Sequence, residues 1–250
     1  MKLITLNIWG AHVHQALLDF VERYAAVDIW CFQEVYHRAD HKISTDERWV
    51  SLKGLDDIQA KLPSHQTFFR PAVNTSYGLA ALIHPRLQVT EEGQEWIYEN
   101  ADYPGYGAAH PRILQWLKCQ CEGKIFFVIN VHGLWNGHGK TDTPDRIKQS
   151  ECIRDFLSRL EAPFILCGDF NLKPDTESLR IIEASVPGLK NWIALSKTSS
   201  TRSIFYPKPE KFADYIFSSS GIQVNHFEVL NGEKDQVSDH LPLYLDFELT

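Results

Sequence analysis

The chain has 250 residues, 44% hydrophobic and 23% charged, with a formal net charge of −7 at neutral pH. This composition excludes a disordered or low-complexity chain, and the length suits one domain, residues 1–250, built on one large core. The acidic balance excludes broad polyanion binding through overall charge, while a local basic groove stays compatible with it.

Residues 2–8 alternate in the rhythm of a strand, ending near Asn7. Val13, Leu17, Phe20, Val21 and Tyr24 then recur at helical spacing. VDIWCFQEV reads as the next strand, with Glu34 near its carboxyl end. Further strands are expected at 65–70, 78–84, 87–97, 112–119 and 124–131, as consecutive antiparallel pairs joined by turns such as His84-Pro85-Arg86 and Glu122-Gly123. Thr143-Pro144-Asp145 supplies an N-cap, a proline at the first helical position and an acid in the first turn. The helix that follows carries an expected buried stripe of Ile147, Ile153, Phe156, Leu157 and Leu160, and leads into the strand PFILC. A second helix over 175–185 and strands near 213–218, 222–230 and 242–249 complete the pattern. Two packed sheets with helices outside accommodate this order. The long irregular stretches 35–49, 98–111, 132–142 and 196–212 are the expected functional rim.

No stretch reaches about 18 consecutive apolar residues, and Thr5 and Asn7 interrupt the start MKLITLNIWG, so a soluble, unexported, cytoplasmic protein is expected. The five cysteines are odd in number. Four of them, Cys31, Cys119, Cys121 and Cys167, lie in apolar segments where the thiol packs as a small hydrophobe, which suits a reducing compartment. Cys119-x-Cys121 lacks a second pair at zinc spacing.

Polar residues repeatedly close apolar strands. Asn7 ends LITLN, Glu34 ends DIWCFQE, His132 ends IFFVINVH, and Asp169 with Asn171 ends FILCGDFN; Asp214 opens DYIF, and Asp239-His240 precedes LPLYLDF. Any one of them also reads as a solvated end or an Asx turn, but six such sites point to a reaction centre. Arg112 could reach a phosphate or solvate a sheet edge, and Trp135 could stack on a base or sugar or pack on its neighbours. Lys140, Arg146, Lys197, Arg202, Lys208 and Lys211 read as solvated surface, the segment His37 to His41 as a solvated loop, and His12 and His14 as exposed.

The motifs LNIWG, FQEV, NVHG, GDFN, ADYIF and SDHLPL, in this order from residue 3 to about 247, resemble the endonuclease/exonuclease/phosphatase superfamily, the deoxyribonuclease I-like metal-dependent phosphoesterases. The resemblance implies an α+β, four-layer α/β/β/α sandwich whose two mixed, mostly antiparallel sheets pack face to face with the site at one rim. It implies Glu34 as principal Mg²⁺ ligand, with Asn7 and Asp239 beside it, and Mn²⁺ able to substitute. Asp169 becomes the base that orients or deprotonates the attacking water, Asn171 a phosphoryl-oxygen ligand, and His132 and His240 the histidines at the phosphate, with Asp214 fixing the His240 tautomer. Arg112 and Trp135 are the candidate substrate contacts. The implied activity is in-line hydrolysis of a phosphodiester in a nucleic acid, a phospholipid head group or a small phosphoester, with no protein partner readable. The alternative is a catalytically silent binding protein that keeps the scaffold, and such a relative is expected to have lost one of Glu34, Asp169, Asn171 or His240.

Overall fold

The structure is a computed structural model that describes residues 1–43 and 49–250. Part of the first irregular stretch, residues 44–48, lies outside the described residues. Apolar runs with β-branched and aromatic residues form β1 (Lys2–Asn7), β2 (Ile29–Tyr36), β3 (Gln66–Val73) and β4 (Tyr77–Ile83). The strands that follow are β5 (Gln88–Tyr98), β6 (Arg112–Cys121), β7 (Lys124–His132), β8 (Phe164–Asp169), the short β9 (Lys190–Asn191), β10 (Asp214–Ser218), β11 (Ile222–Val229) and β12 (Leu243–Leu249). They assemble into two six-stranded sheets, ordered β11-β12-β1-β2-β4-β3 and β5-β6-β7-β8-β10-β9. Each sheet holds one parallel pair, β1 with β2 and β7 with β8, among antiparallel neighbours. Both are mixed sheets, as expected.

Helices α1 (His14–Arg23), α2 (Gly54–Lys61), α3 (Pro144–Leu157), α4 (Glu177–Glu183) and α5 (Trp192–Ser196) and two 3-10 turns, Trp9–Ala11 and Glu233–Asp235, complete the described elements. Thr143 caps α3 as its sequence predicts, accepting from the Arg146 amide, with Pro144 in the first turn. The buried stripe of α3 departs from expectation: Arg146, Gln149 and Ser150 line up with Ile153, Phe156 and Leu157, while Ile147 is only half-buried. The strands are also not a simple series of hairpins. The turn at His84-Pro85-Arg86 carries the chain from β4 in one sheet to β5 in the other.

The sheets meet through β1 and β2 on one side and β7 and β8 on the other, and the apolar layer between them includes Leu3, Cys31, Leu117, Phe126, Val128, Cys167 and Phe247, all inaccessible to solvent. Each large aliphatic or aromatic side chain buried this way contributes about 1.5–3 kcal/mol. A second apolar cluster of Phe20, Trp30, Phe32 and Leu82 seats α1 on the outer face of the first sheet. Cys31, Cys119 and Cys167 are buried core residues, and all five thiols are free.

One layer of the sandwich is polar. Gln33 Nε2 donates to Asn130 Oδ1 at 2.7 Å, and Asn130 Nδ2 donates across the sheets to the Phe32 carbonyl at 3.1 Å and to Gln115 Oε1 at 3.3 Å. Gln115 in turn donates to the Phe68 carbonyl at 2.9 Å. These amides are fully buried, and nothing in the sequence pattern announced them. No helix among the described residues is long and apolar enough to cross a membrane.

Candidate active site

Three strands of the second sheet end in one row. The parallel register of β7 and β8 sets His132 beside Asp169, and the antiparallel register of β8 and β10 sets Asp214 across from Asp169. In the facing sheet the register of β1 with β2 pairs Asn7 with Gln33, so Glu34 comes next to Asn7. Asn7 Nδ2 then donates to Glu34 Oε1 within its own sheet and to Asp169 Oδ2 in the opposite one, each at 3.0 Å.

The backbone is bent to achieve this. A β-bulge interrupts the pairing of β2 with β4 between Phe32 and Val35, and Glu34 inside it has φ 58°. Asn171 has φ 54°, so two non-glycine residues of the site hold left-handed backbone, which costs on the order of 1–2 kcal/mol each. Close approach does the rest. A Cβ at Gly168 would meet the Val131 carbonyl oxygen at 2.1 Å, and one at Gly133 would meet the Phe170 carbonyl oxygen at 2.2 Å. The glycines of GDFN and NVHG therefore let the ends of β7 and β8 touch.

His240 Nδ1 lies 2.7 Å from Asp214 Oδ1, and Thr201 Oγ1 donates to the other Asp214 oxygen at 2.8 Å. The opposite ring nitrogen, Nε2, faces Asp169 Oδ2 at 3.6 Å and Asp239 Oδ1 at 3.8 Å. Burial and Arg202 disfavour the imidazolium, but Asp214, Asp239 and Asp169 together outweigh them and raise the His240 pKa. Asp169 shows the complement. Burial works against its charge, yet His240, Lys140, His132 and Arg202 hold it well below the usual carboxylate range, and it accepts from the Asn171 amide at 2.8 Å. His132 lies 3.7 Å from Glu34 Oε1 and 3.9 Å from Asp169 Oδ2, with Arg112 Nη1 at 2.7 Å from its Nε2. Burial and Arg112 keep it neutral by pushing its pKa well down.

Arg112 is buried in the site, so of its two sequence readings the solvated edge is overturned. Three further cations correct the sequence reading outright, since Lys140, Arg146 and Arg202 are buried rather than solvated. Lys140 Nζ donates to Asn171 Oδ1, and Arg202 Nη1 contacts His240 Nε2 while its guanidinium lies 4.2 Å from the Tyr206 ring centre. Arg146 braces the loop that carries Trp135 and Lys140: its guanidinium donates to the carbonyls of Leu134, Gly139 and Thr141 and to Asn136 Oδ1. A signal for Arg146 existed, because 146, 149, 150, 153, 156 and 157 follow the helical period of the buried face. Lys140 and Arg202 sit on irregular loops and had no such signal. His12 and His14 are half-buried rather than exposed, and His12 lines the site cavity, its ring bonded to the Trp49 carbonyl at 2.6 Å. The segment from His37 to His41 is a loop, as expected.

Glu34, Asp169, Asn171, Asp239, His240, Arg112 and Trp135 all line one cavity of about 490 Å³ at the rim of the sandwich. Asn7, His132 and Asp214 support it through the contacts above. The donor set suits a hard divalent cation: Glu34 and Asp239 offer carboxylate oxygens, and Glu34 Oε1, His132 and Asp169 present ligand atoms within 4.8 Å of one another. Burial and the nearby Asp239 charge raise the Glu34 pKa, a repulsion that a cation between the carboxylates would remove.

A sandwich of two mixed sheets with acid, amide and histidine side chains gathered at one rim defines a class of fold and site. The chain belongs to the Endonuclease/Exonuclease/phosphatase family, whose profile matches residues 4–240. Among solved structures it is similar to a family member from Bacteroides vulgatus, with 20% identity over 100% of this chain and 98% of that one at a TM-score of 0.75. It is similar to the mannosyl-6-phosphatase of Bacteroides thetaiotaomicron, with 19% identity over 100% of both chains at a TM-score of 0.74. A third is the human Nocturnin catalytic domain with bound sulfate, with 19% identity over 100% of this chain and 93% of that one at a TM-score of 0.71. No curated protein sequence matches the chain.

Proposed function

We propose that residues 1–250 form one catalytic domain, a Mg²⁺-dependent phosphoesterase that cleaves phosphodiester bonds by in-line attack of water. The observation that carries this reading is the meeting of Glu34, Asp169, Asn171 and His240, scattered along the sequence, on one cavity. Glu34 and Asp239 would hold the ion, with Asn7 as strut between Glu34 and Asp169; Mn²⁺ would fit the same oxygen donors. When bound, the cation would supply positive charge to the phosphoryl group.

The side chains divide the remaining work. Asp169, ionised and held by the Asn171 amide and Asn7, is a weak base, so its task is to orient the attacking water by accepting from it. Protonated His240, fixed through Nδ1 by Asp214, would donate from Nε2 to a phosphoryl oxygen in place of its present contact with Arg202 Nη1. Neutral His132 has Arg112 Nη1 at 2.8 Å from Nδ1 and 2.7 Å from Nε2; with Nδ1 accepting from Arg112, the Nε2 edge that faces Glu34 and Asp169 would donate toward the phosphate. Lys140, by donating to Asn171 Oδ1, turns the amide nitrogen toward the Gly133 carbonyl and Asp169, from where it would donate to a phosphoryl oxygen. Arg112, Arg202 and Lys140 set cationic groups beside the carboxylates of the cavity inside an acidic protein, which supports an anionic substrate: a nucleic acid, a phospholipid head group or a small phosphoester. The name of the mannosyl-6-phosphatase relative supports the last of these. Five free thiols support a reducing, cytoplasmic setting.

The test is hydrolysis of bis(p-nitrophenyl) phosphate and of p-nitrophenyl phosphate, with Mg²⁺, with Mn²⁺ and with EDTA. Turnover is expected with either metal, to vanish with EDTA, and to fall about 10²–10⁴-fold in Asp169→Ala. If intact protein shows no metal-dependent turnover of either ester and Asp169→Ala behaves identically, the silent-scaffold reading replaces this one.

A further inference from the structure

Among the described residues four cations, Arg112, Lys140, Arg202 and Lys208, line the cavity, and two of them lie at Trp135. Lys140 is 2% exposed and directs one of its three N–H donors to Asn171. Its Nζ lies 5.2 Å from the centre of the Trp135 ring, and the Nζ of exposed Lys208 lies 4.9 Å from the same ring. Neither ammonium has a carboxylate within ion-pairing distance among the described residues. An indole face attracts a cation, and Trp135, Lys140 and Lys208 all line the same cavity, so an anion in this corner would meet both ammonium groups.

This corner is built before any ligand arrives. Arg146, with no solvent exposure, fixes the chain on both sides of Trp135 through Leu134 and Asn136, and both sides of Lys140 through Gly139 and Thr141. Gln149 Oε1 accepts from the Leu134 amide at 2.7 Å and closes the brace. Lys140 and Trp135 therefore have little freedom left to lose on binding, and exposed Lys208 brings the second charge to them.

We infer that Lys140, Lys208 and Trp135 form a second anion subsite, which takes a phosphate carried on the same small molecule as the scissile one. The inference rests on the phosphoesterase reading, which puts the scissile phosphate at Asp169 and His240. Lys140 connects the two places, since its Asn171 partner is itself bonded to Asp169. The substrate class is therefore a pyrophosphate or a compact bisphosphate, its two anions close together.

The experiment is calorimetric titration of the full chain, in EDTA, with methylenediphosphonate, propane-1,3-bisphosphonate and methylphosphonate. Wild-type protein is expected to bind one of the two bisphosphonates about tenfold tighter than methylphosphonate, the yield of one added charge-assisted contact. The ratio is expected to fall near one in Lys208→Ala and below it in Lys208→Glu. Lys208 is exposed, so both variants fold, and circular dichroism checks this. Phosphatidylinositol 4-phosphate in phosphatidylcholine vesicles is compared with plain phosphatidylinositol vesicles in the same way. Selectivity that depends on Lys208, for either source, supports the subsite and names where the second phosphate is carried. Equal wild-type affinities throughout, or selectivity that Lys208→Ala leaves intact, overturns it. Turnover of bis(p-nitrophenyl) phosphate without selectivity removes the subsite and keeps the hydrolase; selectivity without turnover does the reverse.

Discussion

Gln33 and Asn130 lie one and two residues before Glu34 and His132 on the same two strands, yet the two polar layers behave in opposite ways. In the inner layer neutral amides close on one another and on carbonyls, so most of their desolvation cost is offset by partners already in the protein, Gln33 Oε1 being left without one. In the rim layer carboxylates, imidazoles and guanidinium groups are buried with unlike and like charges side by side, and the Glu34 and Asp169 pKa values are driven in opposite directions. The inner layer specifies how the sheets dock. On the proposed function, the rim layer is completed by a cation and a substrate.

Substitutions can separate these roles. His240→Gln removes the charge that Asp214 sustains, and is expected to cut turnover about 10²–10⁴-fold while leaving the urea midpoint within the wild-type range. A midpoint shift large enough to unfold the variant would mean that the rim also holds the fold. Asn130→Ala is expected to do the converse: it strands the Gln33 and Gln115 amides and lowers unfolding free energy by on the order of 3 kcal/mol, measured by urea titration, with a far smaller catalytic loss per folded molecule. Unchanged stability would sink the account of the inner layer. The smallest effect is the pH dependence of stability.

His110, at the edge of the cavity, has its pKa pushed well down by burial and by Arg112. An unfolded histidine titrates near about 6.5, so below that value the unfolded chain binds the proton first, and stability falls with pH until the folded value is passed. Each unit of separation is worth about 1.4 kcal/mol. Urea titrations between about pH 7.5 and 4.5 are expected to show this decline, shallower in His110→Phe; an identical slope in the variant would assign the decline to other groups.

The rim was legible because each of its strand-end residues interrupts an apolar run at the point where the run must leave the core. Asn7, Glu34, His132 and Asp169 carry both a period and a break, and the registers of β1 with β2 and β7 with β8 convert those breaks into neighbours. Gln33, Gln115 and Asn130 were invisible for the opposite reason: each sits inside a strand, where one polar residue reads as a solvent-facing position of the alternation. Lys140 and Arg202 depend on loop paths that no periodicity encodes. Arg146 was misread by one helical position, Ile147 being taken for the inward residue.

Asn7 grips a carboxylate in each sheet with a single amide nitrogen. The candidate site is thus also a clasp across the seam of the sandwich, and slippage of one layer over the other would pull its two halves apart. On the proposed function, turnover would therefore be a finer gauge of layer alignment than any spectroscopic probe of the strands.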